Sequence, residues 1–154
     1  MPHDEVGAGP AVMLLHAGVA DRRMWADLLP AVGAAGYRAV AVDLPGYGDA
    51  LPTGDAPHSG VLDTMDALDI DRAALVGNSF GGAVALRVAV VAPERVAAMA
   101  LVSTPAPGVE PSAELERYGT RRNPRSRAAT SRARWQRSSM PGRCLMLHPS
   151  CVTA

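Results

Sequence analysis

A chain of 154 residues has room for one domain and one hydrophobic core, and 48% apolar residues with a mean hydropathy of +0.06 suit a water-soluble globular protein. The formal net charge is zero, but the halves differ: residues 1–116 hold all 15 acids and 6 of 15 arginines (6 − 15 = −9), and residues 117–154 hold 9 arginines and no acid (+9). Lysine is absent, no run reaches the ~18 apolar residues of a membrane helix, and the two cysteines, Cys144 and Cys151, form neither a zinc pattern nor a disulfide framework.

Met1-Pro2-His3-Asp4-Glu5 lacks the basic start of a signal peptide, so the apolar run Ala11–Leu15 reads as a strand buried on both faces. A cytoplasmic location is therefore the default. His16-Ala17-Gly18-Val19 is a loop. Met24, Trp25, Leu28, Leu29 and Val32 then recur at helical spacing, with Pro30 marking a short turn before a helix that Gly36 ends. Residues 37–42 form a second buried strand, followed by a loop dense in turn formers, Asp43-Leu44-Pro45-Gly46-Tyr47-Gly48. Ser59 is a candidate N-cap for a helix carrying Val61, Leu62, Met65 and Leu68, whose solvated face holds Asp63, Asp66 and Asp69.

The third strand, Ala73–Val76, leads into Gly77-Asn78-Ser79-Phe80-Gly81-Gly82 and then an apolar helix, residues 83–92, closed by Pro93. Strand, sharp turn and buried helix are the context that a Gly-x-Ser-x-Gly motif needs to act as a nucleophile elbow. A serine pushed out of so tight a turn leaves no room for side chains two residues before and after it. Gly77 and Gly81 remove them, and Gly82 lets the helix pack close. The helix start then points free N–H groups at the place where a substrate oxygen would become negative. Residues 96–102 form a fourth strand. Strands alternating with helices imply parallel βαβ units, with ligands bound at the carboxyl ends of the strands, where His16, Asp43, Ser79 and Ser103 fall. After Pro105 the pattern fades. From Gly119 neither helical nor strand periodicity remains, and residues 117–154 are expected to be a disordered or loosely attached basic tail beside a core of residues 1–116.

Three blocks in this order resemble the α/β-hydrolase superfamily, in its esterase-like branch: Leu14-Leu15-His16-Ala17-Gly18 with Met24-Trp25, the Asp43-to-Gly48 turn, and Leu75 to Gly82. The resemblance covers residues 5 to about 105. It implies a partial α/β-hydrolase fold with a parallel sheet of about four strands and flanking helices, preceded by a remnant, residues 4–9, of an antiparallel strand pair. It also implies a serine hydrolase acting on an ester or related acyl bond of a small molecule, with no cofactor and no metal. Ser79 would be the nucleophile, and the Phe80 N–H one oxyanion donor. The other donor would be the N–H of Gly18 or of Val19. His16 would order its loop, and Asp43 would brace its turn. Gly-Asn-Ser-Phe-Gly-Gly also occurs in members that hydrolyse carbon–carbon bonds of diketones.

Serine needs an imidazole to take its proton and a carboxylate to orient that imidazole, and the family orders these serine, acid, histidine along the chain. After Ser79 the only acids are Glu94, Glu110, Glu114 and Glu116, and the only histidine is His148. Ser79, Glu110 and His148 keep the formal order, but His148 sits in the segment without structural pattern, so these partners are not expected to be held in place. The chain then reads as a fragment whose frame is lost near residue 119, inactive or only weakly acylated; an intact in-frame gene ending at 154 would contradict this. A non-catalytic scaffold of hydrolase descent is the alternative. So is a binder of anionic surfaces or nucleic acid through the arginine-rich tail, although no nucleic-acid reading motif is present and neither nucleic acid nor membrane is an expected partner.

Overall fold

The computed structural model describes residues 1–105; the boundary expected at 116/117, and the tail beyond it, lie outside them. Five strands form one sheet: β1 (His3–Val6), β2 (Ala11–Leu15), β3 (Arg38–Val42), β4 (Ala73–Asn78) and β5 (Val96–Val102). Their spatial order is β1-β3-β2-β4-β5. The last four are parallel to their neighbours, and β1 lies antiparallel on β3, with His3 opposite Val42 and Val6 opposite Ala39. Helices α1 (Leu28–Ala34), α2 (Pro57–Ala67) and α3 (Phe80–Val91) flank the sheet.

The apolar runs of β2 and β3 are continuous because both faces of the sheet are covered there; β5, at the sheet edge, is as apolar but exposed from Ala97 to Val102. Met13, Leu15, Val40, Val42 and Leu75 pack under Val61 and Met65 of α2 and Val84 and Val88 of α3. The alternate residues Val12, Leu14, Ala39 and Ala41 meet Trp25 and Leu29 on the other face. Period-two alternation is thus present, but each face is apolar. Strand β1 has no such signature. All four of its residues are exposed, and main-chain pairing with β3 holds it. Its one apolar side chain, Val6, lies against Gly33 of α1, where a β-carbon would come within 2.8 Å of the valine methyl.

Two boundaries follow local chemistry. The expected turn before α1 is a 3₁₀ helix, Arg22–Trp25, capped by Asp21, whose carboxylate accepts the Arg23 N–H at 2.9 Å; beyond α1, Gly36 adopts φ +89° and closes the element. The N-cap expected at Ser59 is instead Ala56, with Pro57 in the first turn. Proline arrives with its φ preset and with no N–H to leave unsatisfied, so it opens the helix three residues earlier. Ser59 already lies inside that turn, its N–H on the Ala56 carbonyl at 2.9 Å. Asp63, Asp66 and Asp69 are exposed, as expected, and Asp66 pairs with Arg95 at 2.7 Å. No helix among the described residues is long and apolar enough to cross a membrane.

Candidate active site

Ser79 stands between the end of β4 and the start of α3 with φ 50° and ψ −109°. A non-glycine residue with this backbone costs about 1–3 kcal/mol and persists only where its surroundings impose it. Three hydrogen bonds impose it. The Ser79 N–H donates to the Val102 carbonyl of β5 at 2.8 Å, the Ser79 carbonyl accepts the Ala83 N–H at 3.1 Å, and the Gly81 N–H donates to the His16 carbonyl at 3.1 Å.

The glycines are sterically required. A β-carbon on Gly77 would lie 2.5 Å from the Gly82 α-carbon and 2.6 Å from the Gly81 carbonyl oxygen. On Gly81 it would run into the Leu15 and His16 carbonyls, and on Gly82 into the side chain of Thr104. Gly82 therefore admits Thr104, two residues beyond β5, against the start of α3. Ser79 is half-buried, outside the helix, and among the described residues its hydroxyl bonds no side chain.

Beside the elbow runs the loop after β2. The Ala20 N–H closes a turn on the Ala17 carbonyl at 3.0 Å, leaving the N–H groups of Gly18 and Val19 without an acceptor among the described residues; the Phe80 N–H likewise has none there. Loop and elbow adjoin: a β-carbon on Gly18 would sit 3.3 Å from the Phe80 β-carbon. The Val19 side chain is 98% exposed and packs on nothing. Both candidate donors remain open.

His16 is wholly buried and committed at both nitrogens. Its Nε2 accepts the Leu44 N–H at 2.9 Å, so the ring proton is on Nδ1, which donates to the Ala17 carbonyl at 2.8 Å. The ring thus ties the start of this loop to the turn after β3 and has no nitrogen left to take a proton from Ser79. The Tyr47 ring packs edge-on against it at 5.1 Å, and Phe80 lies 5.9 Å beyond Tyr47.

Asp43 lies under the next loop, also wholly buried. It accepts the Arg22 N–H and the Asp49 N–H, each at 2.8 Å, and the Arg22 guanidinium. Arg22 reaches Asp49 at 2.8 Å and Asp4 of β1 at 3.1 Å as well. The turn closes this tightly because Gly46 and Gly48 take φ 84° and 52°, and a β-carbon on Gly48 would strike the Asp43 carboxylate. Burial alone would raise the Asp43 pKa; the two backbone donors and the Arg22 guanidinium outweigh it and hold it below 3.8.

A depressed carboxylate stabilises the fold above its unfolded pKa, and that contribution disappears as pH falls through the lower folded value. Asp43→Asn is therefore expected to lower stability by about 1–3 kcal/mol at pH 7. Its deficit against the parent should shrink below about pH 4. Denaturant unfolding between pH 7 and 2.5 measures both, and a deficit independent of pH would contradict the assignment.

Glu110 and His148, the expected triad partners, lie outside the described residues. Among the described residues no group of three His, Cys, Asp or Glu side chains gathers as metal ligands. Sequence reasoning missed Arg22, Tyr47 and Thr104. Only Tyr47, inside a recognisable turn motif, carried a signal.

The family model described as alpha/beta hydrolase fold matches residues 10–122, more than half of the chain. The chain belongs to the α/β-hydrolase fold family. Its relatives include the dihydrolipoyllysine-residue acetyltransferase component of the acetoin cleaving system of Pseudomonas putida, 43% identical over 62% of this chain and 27% of that protein. The 2-hydroxy-6-oxo-6-phenylhexa-2,4-dienoate hydrolase of Comamonas testosteroni is 38% identical over 65% of this chain and 38% of its own. Among solved structures, an epoxide hydrolase from Vigna radiata superposes with a TM-score of 0.63 and 29% identity, over 77% of this chain and 42% of that one. This α/β-hydrolase chain thus spans well under half the length of these relatives, and its sheet and helices are a partial version of the fold.

Proposed function

We propose that this chain carries the serine-nucleophile half of an α/β-hydrolase site acting on an ester or related acyl bond of a small molecule. One observation supports the reading above others: Ser79 holds a costly backbone conformation beside the Phe80 N–H, with the Gly18–Val19 turn against it. In this reading the Ser79 oxygen attacks the substrate carbonyl, and the carbonyl oxygen becomes negative facing the Phe80 N–H and that of Gly18 or Val19. The alcohol leaves with a proton, and water later cleaves the acyl-serine ester to release the acid.

Chemistry separates this from epoxide opening, the reaction in the name of the Vigna radiata neighbour. A serine oxygen that opened an epoxide would remain as an alkyl ether, which has no carbonyl for water to attack. Acylation instead leaves an ester that water can cleave. Among the described residues no imidazole reaches Ser79, which favours slow, stoichiometric acylation and keeps a non-catalytic scaffold as the second reading.

Mixing the intact chain with a p-nitrophenyl ester and, separately, with styrene oxide tests the proposal. The expected result is release of up to one equivalent of nitrophenol with a matching acyl mass on the protein, and no diol from the epoxide. Diol formation, or nitrophenol release without acylated protein, would overturn it.

A further inference from the structure

We infer that Arg22 is a positioning residue that holds the Gly18–Val19 loop in register with the nucleophile elbow by closing the turn that grips His16. The connection can be followed bond by bond. Arg22 binds Asp43 twice, through its own N–H at 2.8 Å and through its guanidinium, while the Asp49 N–H comes to the same carboxylate at 2.8 Å. That closure fixes Leu44, the next residue, whose N–H is on His16 Nε2 at 2.9 Å. His16 in turn holds the Ala17 carbonyl through Nδ1 at 2.8 Å, and its own carbonyl takes the Gly81 N–H of the elbow at 3.1 Å. A parallel path runs through Tyr47, in the same turn, which stacks between His16 and Phe80 and whose hydroxyl lies 3.4 Å from where a Gly18 β-carbon would be.

Arginine suits this place because one planar fork meets several acceptors at once. Asp4 of β1 and Asp49 hold the same guanidinium at 3.1 and 2.8 Å, so it joins the sheet edge, the turn and the 3₁₀ helix. Hydrogen bonding to Asp49 foremost, then to Asp4 and Asp43, outweighs burial and holds its pKa above the ordinary arginine value. Removing the guanidinium leaves a wholly buried carboxylate with backbone donors alone, and the turn then gains by opening toward water. Lysine at 22 keeps the charge but, as a compact ammonium without the planar fork, cannot reproduce the spread of contacts to three carboxylates.

The effect on Ser79 rests on the acyl-transfer reading above; the effect on His16 does not. In the intact chain with ¹⁵N-labelled histidine, long-range proton–nitrogen spectra read the His16 tautomer, and a fluorophosphonate reads reactivity at Ser79. His16→Gln assigns the resonance. Arg22→Gln is expected to shift His16 from a single Nδ1–H tautomer to a mixture and to slow labelling by about tenfold to a hundredfold, short of the 10²–10³ of losing an oxyanion donor outright. Arg22→Lys should fall between, with labelling several-fold slower, and it decides the question by the same readings if Arg22→Gln does not fold. An unchanged His16 spectrum overturns the inference, even if labelling slows. If the parent chain is not labelled at all, the reading of Ser79 fails while the His16 spectra still decide the role of Arg22.

Discussion

Ser79→Ala is expected to abolish fluorophosphonate labelling of this chain, by at least about 10³-fold, while leaving its unfolding midpoint almost unmoved. The two halves of that result have separate causes. Reactivity needs the hydroxyl: of the side-chain oxygens near the junction of elbow and loop, that of Ser79 is the one on the strained turn beside the Phe80 N–H, whereas Tyr47 is a phenol packed between the His16 and Phe80 rings. Stability does not need it. The side chain is half-buried, makes no capping bond to α3, and exchanges one small residue for another under the same backbone, which costs within about 0.5 kcal/mol. Ser79→Gly sharpens the point. Glycine tolerates φ 50° freely, so it should unfold later than Ser79→Ala by about 1 kcal/mol and be equally unreactive. Equal stability of the two variants would mean that the elbow stores no strain.

The largest effect on folding is expected at Gly81. In an ordinary helix, glycine to alanine gains about 1 kcal/mol. Here the new methyl would enter the Leu15 carbonyl at the end of β2 and come within 2.6 Å of the His16 carbonyl oxygen. Those atoms belong to the central strand and to the loop after it, so neither can yield without moving the sheet or the His16 loop. The steric term wins, and Gly81→Ala should lose about 3 kcal/mol or more, lowering the melting midpoint by roughly 10 °C. Gly60 of α2 is the matched control. A β-carbon there meets only the Met1 and Pro45 side chains, at 3.3 Å or more, so Gly60→Ala should be neutral or mildly stabilising. A Gly81→Ala chain as stable as Gly60→Ala would contradict the packing described for the elbow.

What the sequence could reveal followed from the range of each interaction. Strands β2 and β5 were legible to the residue because an unbroken apolar run between turn formers has few alternatives, and the elbow because its glycines sit at fixed offsets from Ser79. Strand β1 was only an expected remnant: His3, Asp4, Glu5 and Val6 carry no apolar pattern, and partners on β3 some thirty-five residues away hold them. The start of α2 was misplaced because Ser59 has the right chemistry for a cap, but Pro57 pre-empts it with a fixed φ. Arg22 was illegible for another reason. Its neighbours Asp21 and Arg23 look equally suited to surface pairing, and only the folded chain shows that Arg22 is the one turned toward Asp43, twenty-one residues on. His16 was expected to order its loop, and its two ring nitrogens meet the Leu44 N–H and the Ala17 carbonyl.

The arrangement also separates what the described residues supply from what they do not. Elbow, loop and turn form a connected unit whose glycines, buried histidine and buried carboxylate all serve one small region of main chain. Nothing in that unit removes a proton from Ser79. Acylation without rapid turnover is the behaviour such a unit should show by itself; the dienoate hydrolase and epoxide hydrolase that it resembles are much longer chains.

Peptide mapping of the folded, full-length chain after exposure to a fluorophosphonate is the most direct measurement. One adduct is expected, on the Ser79 hydroxyl, lost when the chain is first unfolded in denaturant. An adduct at Ser103 or elsewhere in place of Ser79, or equal labelling of folded and unfolded chain, would contradict a nucleophile made reactive by its backbone.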